Sequence, residues 1–281
     1  MTGGLGNDHF YVNTVGDVVV EAAGQGTSDR VFASVSYTLG AGQSIELMST
    51  TNNAGTGAIN LTGNELANTI LGNAGANVLN GGGGIDTLTG LGGNDTYYVD
   101  NADDKVFEAA GGGNDTVITN VNHTLGAGQH VETLRTFGSG TTNPIDLAGN
   151  ELANTLIGNA AANMLNGKGG ADVLGGYAGN DTFVFTTALG AGNIDTIVDF
   201  SAADDTILLE NAVFTGLTAG ALAAGAFNTG AGASQTDDRI VYNSATGALL
   251  FDADGNGAGA AIQFAAVSAG LALIAGDFFV I

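Results

Sequence analysis

The chain is 281 residues long, carries a formal net charge of −23 with only five basic residues, and contains no cysteine. Such a charge repels nucleic acid and anionic membrane and favours cations, while disulfide staples and thiol chemistry are excluded. Glycine fills 48 of 281 positions, about 17 % against a usual value near 7 %, yet a single proline and a sustained apolar period set the chain apart from collagen or a flexible linker.

The chain opens on Gly3-Gly4-Leu5-Gly6-Asn7-Asp8-His9-Phe10. The same nine-residue pattern returns from Gly63 to Val99, where Leu61, Ile70, Leu79, Leu88 and Tyr97 fall nine apart, and Asn68, Asn77, Asp86 and Asp95 stand two positions ahead of the last four. It returns again from Gly149 to Val184, with Leu147, Leu156, Leu165, Leu174 and Phe183 preceded by Asn154, Asn163, Asp172 and Asp181. A fixed period this short predicts a solenoid. Three residues around each large apolar position suffice for a short strand with that side chain inward. The other six must turn the chain, which glycine permits through positive φ. Two units make one coil of eighteen residues, so Asp86 is expected to stack on Asn68 and Asp95 on Asn77. Two stacked carboxylates about 5 Å apart repel by roughly 3 kcal/mol at an effective dielectric near 20. A hard cation removes that repulsion, and Ca²⁺ accepts carboxylate and carbonyl oxygens in flexible geometry where Mg²⁺ demands a tight octahedron. A metal-free β-helix with ordinary Asn/Asp-Gly turns is the competing reading.

A longer repeat frames the short one. Residues 39–43 recur at 125–129 and residues 63–69 at 149–155, an offset of 86, while residues 21–24 recur at 108–111, an offset of 87. Residues 3–89 and 90–175 thus form two copies, and a third begins at Gly176. The opening in mid-repeat suggests the carboxy-terminal piece of a longer protein. Between the nonapeptide runs, residues 12–60 and 99–146 read as wider, irregular coils continuing the same sheets. Residues 17–21, 31–39, 45–47 and 131–134 are their candidate strands, rich in β-branched side chains. Asp29 and Asp115 follow glycine-containing turns and are candidate extra ligands beside a plain solvated-turn reading. After Phe185 the period stops. Residues 194–200, 205–209, 239–243, 248–251 and 261–264 read as strands, residues 244–247 as a hairpin turn and residues 218–227 as a short helix. Asp252-Ala-Asp254-Gly-Asn256-Gly257 fits the first half of an EF-hand loop, but Gln263 stands where the bidentate Glu belongs and strands flank it, so it reads as a polar loop.

The nonapeptides resemble the RTX (repeats-in-toxin, hemolysin-type) calcium-binding repeat. Five match well: the opening unit and those centred on Asp86, Asp95, Asp172 and Asp181. First-position glycine (Gly3, Gly81, Gly90, Gly167, Gly176) and fourth-position glycine (Gly6, Gly84, Gly93, Gly170, Gly179) hold throughout; the second glycine survives at Gly4 and Gly82 and gives way to Leu91, Lys168 and Tyr177. The resemblance implies Ca²⁺ between stacked turns, held by the carboxylates of Asp8, Asp86, Asp95, Asp172 and Asp181. It adds the first- and third-position carbonyls of Gly81, Gly83, Gly90, Gly92, Gly167, Gly169, Gly176 and Ala178. Asn68, Asn77, Asn154 and Asn163 offer amides instead and imply weak or absent ions. Residues 186–281, ending in an acidic residue and an apolar run (Asp277-Phe-Phe-Val-Ile281), resemble the carboxy-terminal targeting domain of type I secreted RTX proteins. That implies export through an ABC transporter, a membrane-fusion protein and an outer-membrane channel to an extracellular location.

The expected architecture is therefore all-β: parallel β-roll (β-solenoid) segments followed by a β-rich carboxy-terminal secretion domain. The expected divisions are 1–99 with its roll at 63–99, 100–185 with its roll at 149–185, and 186–281. No enzyme is expected. His9, His123 and His130 lack zincin spacing, no Gly-x-Ser-x-Gly elbow occurs, and any pair chosen among 28 acids would be arbitrary. No nucleic-acid partner or membrane insertion is expected. A secreted enzyme's tail (protease, lipase or epimerase) and an adhesin or surface-layer protein that self-associates are the alternatives for a parent protein.

Overall fold

A computed structural model describes residues 1–281. Almost all regular structure is short strand, and the chain divides into two compact units, Met1–Leu134 and Arg135–Ile281.

The first unit is a parallel β-solenoid. One sheet stacks His9–Val12, Arg30–Ala33, Leu47–Thr50, Thr69–Leu71, Thr87–Thr89 and Lys105–Phe107 in that order, all parallel. The other stacks Tyr37–Thr38, Leu61–Thr62, Val78–Asn80, Thr96–Val99 and Thr116–Thr119. Within the nonapeptide run the register is eighteen: Leu61 pairs with Leu79, Leu79 with Tyr97, and Ile70 with Leu88. The period-nine side chains Leu61, Ile70, Leu79, Leu88 and Tyr97 are fully buried, because a three-residue strand turns its middle side chain inward. Outside the run the sheets continue with irregular coils: Phe10 pairs with Val31, Val31 with Met48, and Met48 with Ile70.

Expected and observed strands differ in places. Residues 17–21 form no strand, only a bridge from Val20 to Thr2, because Asp17 closes a turn by accepting the N–H groups of Asn13 and Thr14. Residues 31–39 are two strands, Arg30–Ala33 and Tyr37–Thr38, separated by a bend as the chain crosses from one sheet to the other.

The second unit repeats the roll and then closes it. One sheet stacks Leu147–Ala148, Met164–Asn166, Thr182–Phe185, Thr206–Leu209 and Phe278–Val280 in parallel, with Gly220–Ala221 antiparallel at its edge. The other runs Thr155–Ile157, Val173–Gly175, Asp195–Ile197 and Ile262–Ala266 in parallel, then takes on Ala248–Phe251 and Ile240–Asn243 antiparallel. The hairpin expected at residues 244–247 is present, with Gly247 at φ 81° in its turn. The period ends at Phe185, but the stack does not. Larger coils replace nonapeptides, and phenylalanines fill their wider interior: Phe214 packs edge-to-face on Phe264 and Phe251 at 5.0 and 5.4 Å. The helix expected over 218–227 is absent. That stretch gives the edge strand Gly220–Ala221 and one 3₁₀ turn, Ala224–Ala226, since hydrogen bonding to the Phe278–Val280 strand outweighs alanine's helical preference there.

Candidate metal centre

The sixth residue of each nonapeptide immediately precedes a strand, so strand stacking also stacks these side chains into columns. In the first unit one column runs Asp8, Asp29, Glu46, Asn68, Asp86, Asp104. Its links are backbone to side chain: the N–H of Asp8 donates to Asp29 Oδ1 (2.7 Å), Asp29 N–H to Glu46 Oε2 (2.7 Å), Asn68 N–H to Asp86 Oδ1 (2.7 Å) and Asp86 N–H to Asp104 Oδ1 (2.8 Å). The opposite column links Asn77, Asp95, Asp115 and Glu132 in the same way, at 2.6, 2.8 and 2.7 Å. In the second unit Asn154 donates to Asp172 and Asp172 to Asp195, and Asn163 donates to Asp181 and Asp181 to Asp205.

First-position glycine is explained by these side chains rather than by φ. Gly81 and Gly90 are not in the left-handed region, but a Cβ on either would overlap Oδ2 of Asp86 or Asp95. The carboxylate oxygen occupies the place a side chain would take. Positive φ governs the fourth position, where Gly84 at φ 107° also lies so close to the Leu66–Ala67 peptide that a Cβ would be 2.8 Å from Leu66 C. At the second position the sequence departs from glycine while the backbone does not: Leu91, Lys168 and Tyr177 sit at φ 82°, 67° and 72°.

Asparagine and aspartate turns solve different problems. Asn77 Oδ1 accepts the N–H of Asn73 (2.8 Å) and its amide nitrogen donates to the Ile59 carbonyl (2.7 Å) in the coil below. Asn163 does the same with Asn159 (2.7 Å) and Ile145 (2.8 Å). These turns are satisfied by protein alone. Aspartate turns other than that of Asp181 are not. Oδ2 of Asp8, Asp29, Asp86, Asp95, Asp115 and Asp172 is buried with no hydrogen-bond partner, as are both carboxylate oxygens of Glu21 and Oε2 of Glu108. A buried oxygen without a partner costs free energy that an intramolecular hydrogen bond or a cation must offset. Burial pushes the Asp86 carboxyl up to about 7, and those of Asp95, Asp115, Asp172 and Asp181 up to about 6.

The orphaned oxygens converge. Asp8, Glu21 and Asp29 place one carboxylate oxygen each within 4.8 Å of one another, and so do Asp95, Glu108 and Asp115. All donors are hard oxygens with flexible geometry, a set that fits Ca²⁺. Sequence reasoning singled out Asp8 and Asp95, held Asp29 and Asp115 as candidates, and missed Glu21 and Glu108. The 86- to 87-residue repeat carried the signal: Asp8, Glu21, Asp29 and Glu46 recur as Asp95, Glu108, Asp115 and Glu132. Asp104 and Asp205 behave differently from the orphans. Their second oxygens accept N–H groups from their own turns, at Asn101 (3.2 Å) and Ser201 (2.8 Å), and so close a column. Asp199 likewise accepts the N–H groups of Gly176 and Tyr177. In the loop at 252–257, Asp254 Oδ2 accepts the Gly259 N–H at 3.0 Å, in keeping with a polar loop satisfied by its own backbone.

The carbonyls of Gly81, Gly90, Gly167 and Gly176 lie against Gly63, Gly72, Gly149 and Gly158 of the preceding coil, beside the asparagine oxygens there. The third-position residues Gly83, Gly92 and Gly169 pack over the residues eighteen before them, Glu65, Ala74 and Glu151; their carbonyls and that of Ala178 remain assigned by resemblance.

Comparison with known proteins bears on this geometry. Residues 62–106 and 148–183 match the RTX calcium-binding nonapeptide repeat, in four copies. No curated protein matches the chain. The chain thus carries RTX repeats in a β-roll, and these repeats bind Ca²⁺. The repeat family is structural and calcium-binding rather than catalytic.

Proposed function

We propose that this chain is a calcium-triggered folding module of a protein exported by a type I system, in which Ca²⁺ held by Asp8, Asp86, Asp95, Asp172 and Asp181 and by neighbouring turn carbonyls completes the fold outside the cell. The buried, partnerless carboxylate oxygens of the aspartate turns carry this reading. Without a cation each aspartate column buries like charge, so the ion-free chain is held loose. With millimolar calcium, binding free energy becomes folding free energy. Extracellular calcium modules bind at about 10⁻⁴–10⁻³ M, so such a device stays open in the cytosol and closes outside.

The tail supports the export half of the proposal. Phe278 and Val280 are buried in the sheet between Thr206–Leu209 and Gly220–Ala221. An export machine reading this apolar run reaches it only before the second unit folds, which low cytosolic calcium ensures. On this reading the protein is a secreted one, whether enzyme or adhesin. No helix of this chain is long and apolar enough to cross a membrane.

The test is far-UV circular dichroism during a calcium titration from the chelated protein, with magnesium as control. A calcium-specific gain of β signal is expected. A β spectrum indifferent to chelator would overturn the proposal.

A further inference from the structure

We infer that Glu21 and Glu108 are metal ligands outside the nonapeptide repeats, and that each completes a three-carboxylate cation site, Asp8–Glu21–Asp29 and Asp95–Glu108–Asp115, that fills before the other turns. The inference rests on the calcium-binding reading above and adds to it both the ligands and the order of filling.

Neither glutamate belongs to a nonapeptide. Residues 62–106 and 148–183 are the matched repeats, and both glutamates lie beyond them. Each comes from an irregular coil of the long repeat, and each is buried, Glu21 at 1 % and Glu108 at 6 % exposure. A long, flexible acidic side chain is seldom buried without a partner. Yet Glu21 has none for either oxygen, and Glu108 has none for Oε2. Both side chains point at the aspartate column. A Cβ on Gly3 would overlap Glu21 Oε2 and lie 2.6 Å from Asp8 Oδ2; a Cβ on Gly112 would lie 2.6 Å from Glu108 Oε2 and 3.4 Å from the Leu91 carbonyl oxygen. Only glycine leaves the space in which these oxygens meet.

The arrangement recurs at an offset of 86 to 87 residues with the same three residue types. The second unit lacks it: Asp172 and Asp181 have no third carboxylate gathered within the same distance. Ligand charge count tunes calcium affinity, so a site with three carboxylates binds more tightly than a turn with one or two and favours a trivalent ion still more.

Tyr97 gives the second site a reporter. Its hydroxyl donates to Glu108 Oε1, and its ring is buried beside Asp95. The chain has no tryptophan, so a Tb³⁺ ion bound there would be sensitised by this tyrosine.

The experiment is a Tb³⁺ titration of the full chain with tyrosine excitation, alongside calcium titrations against a competing chelator. In the wild type, sensitised emission should rise with the first equivalents. Tyr97→Phe should lose that emission and keep the binding. Glu108→Gln should shift the emission to higher Tb³⁺ by at least the roughly tenfold that loss of an outer-shell partner costs a metal site. Glu21→Gln with Glu108→Gln should remove the two tightest calcium equivalents and leave the weaker ones. Glutamine keeps the shape and removes buried charge, and circular dichroism in excess calcium confirms that the variants fold. Wild-type titrations for both glutamine variants would overturn this inference while the calcium-binding reading stood. Early Tb³⁺ binding without tyrosine-sensitised emission would overturn the site at Glu108 from the wild type alone. Absence of calcium binding in the wild type would remove both readings.

Discussion

The coil of Gly63–Asn80 and the coil of Gly81–Val99 stack eighteen residues apart, with the same strands and inward side chains at the same period. They differ in turn backbone, with positive φ at Gly82, Gly84, Leu91 and Gly93 against Asx turns made by Asn64 and Asn73, and in the sixth residue. In the first, Asn68 and Asn77 donate their amides to the Ile45 and Ile59 carbonyls of the coil below. In the second, Asp86 and Asp95 leave Oδ2 buried and unpartnered. The asparagine coil is satisfied by protein groups alone, whereas the aspartate coil leaves buried oxygens without a partner. Under the proposed function, the aspartate coils are the part of the roll that calcium completes.

Erasing that difference should have the largest effect. Replacing Asp86, Asp95, Asp172 and Asp181 together by Asn should give a chain that keeps its β signal in chelator, with the substitutions at Asp86, Asp95 and Asp172 each relieving about 1–3 kcal/mol from a buried, unsatisfied oxygen. Thermal melts with and without calcium check this; a variant that still unfolds on chelation would break the comparison.

Protons should mimic the substitution. Asp86 is raised to about 7, and Asp95, Asp115, Asp172 and Asp181 to about 6. The ion-free folded state therefore binds more protons than the unfolded state between roughly pH 4 and pH 7. This stabilisation is fully present below the ordinary carboxylate range and is lost as pH rises through 6 to 7. Calcium-stripped protein should show more β signal at about pH 4.5 than at about pH 7.5, and its calcium midpoint should rise as pH falls. Equal spectra at the two pH values would mean that the aspartate turns are not the strained element.

The smallest effect concerns the left-handed second position, which the aspartate turns have and the asparagine turns lack. Tyr177 holds φ 72° with its ring exposed. Tyr177→Gly should raise stability in calcium by about 1 kcal/mol, since a left-handed non-glycine residue costs roughly 1–2 kcal/mol and glycine returns part of that as unfolded-state entropy. A lower denaturation midpoint would show that the tyrosine contributes contacts worth more than the strain.

Period nine at Leu61, Ile70, Leu79, Leu88 and Tyr97 made the roll, its register and the stacking of Asp86 on Asn68 legible in the sequence. The irregular coils were legible only as apolar segments, because their spacing varies: 21 residues from Phe10 to Val31, 17 from Val31 to Met48. Glu21 and Glu108 escaped for the same reason. They reach the column across a loop of no fixed length, and only comparison of the two long copies exposes them. The role of Gly81 was misassigned to dihedral freedom because a sequence does not show what lies against a Cα atom. The missing helix at 218–227 reflects alanine content overruled by an available sheet edge.

The strand Phe278–Val280 carries a consequence for assembly. A stack of parallel coils presents an open hydrogen-bonding edge that invites another chain to add on, the geometry of fibril growth. Here the last parallel strand is flanked by Gly220–Ala221 running the opposite way and only two residues long. In the companion sheet the parallel stack of coils stops at Ile262–Ala266, where an antiparallel hairpin takes over, and the edge strand Phe227–Thr229 pairs parallel with Ile240–Asn243. A two-residue antiparallel strand gives an added parallel coil little to pair with, so the Phe278–Val280 sheet is capped against templated growth from that edge.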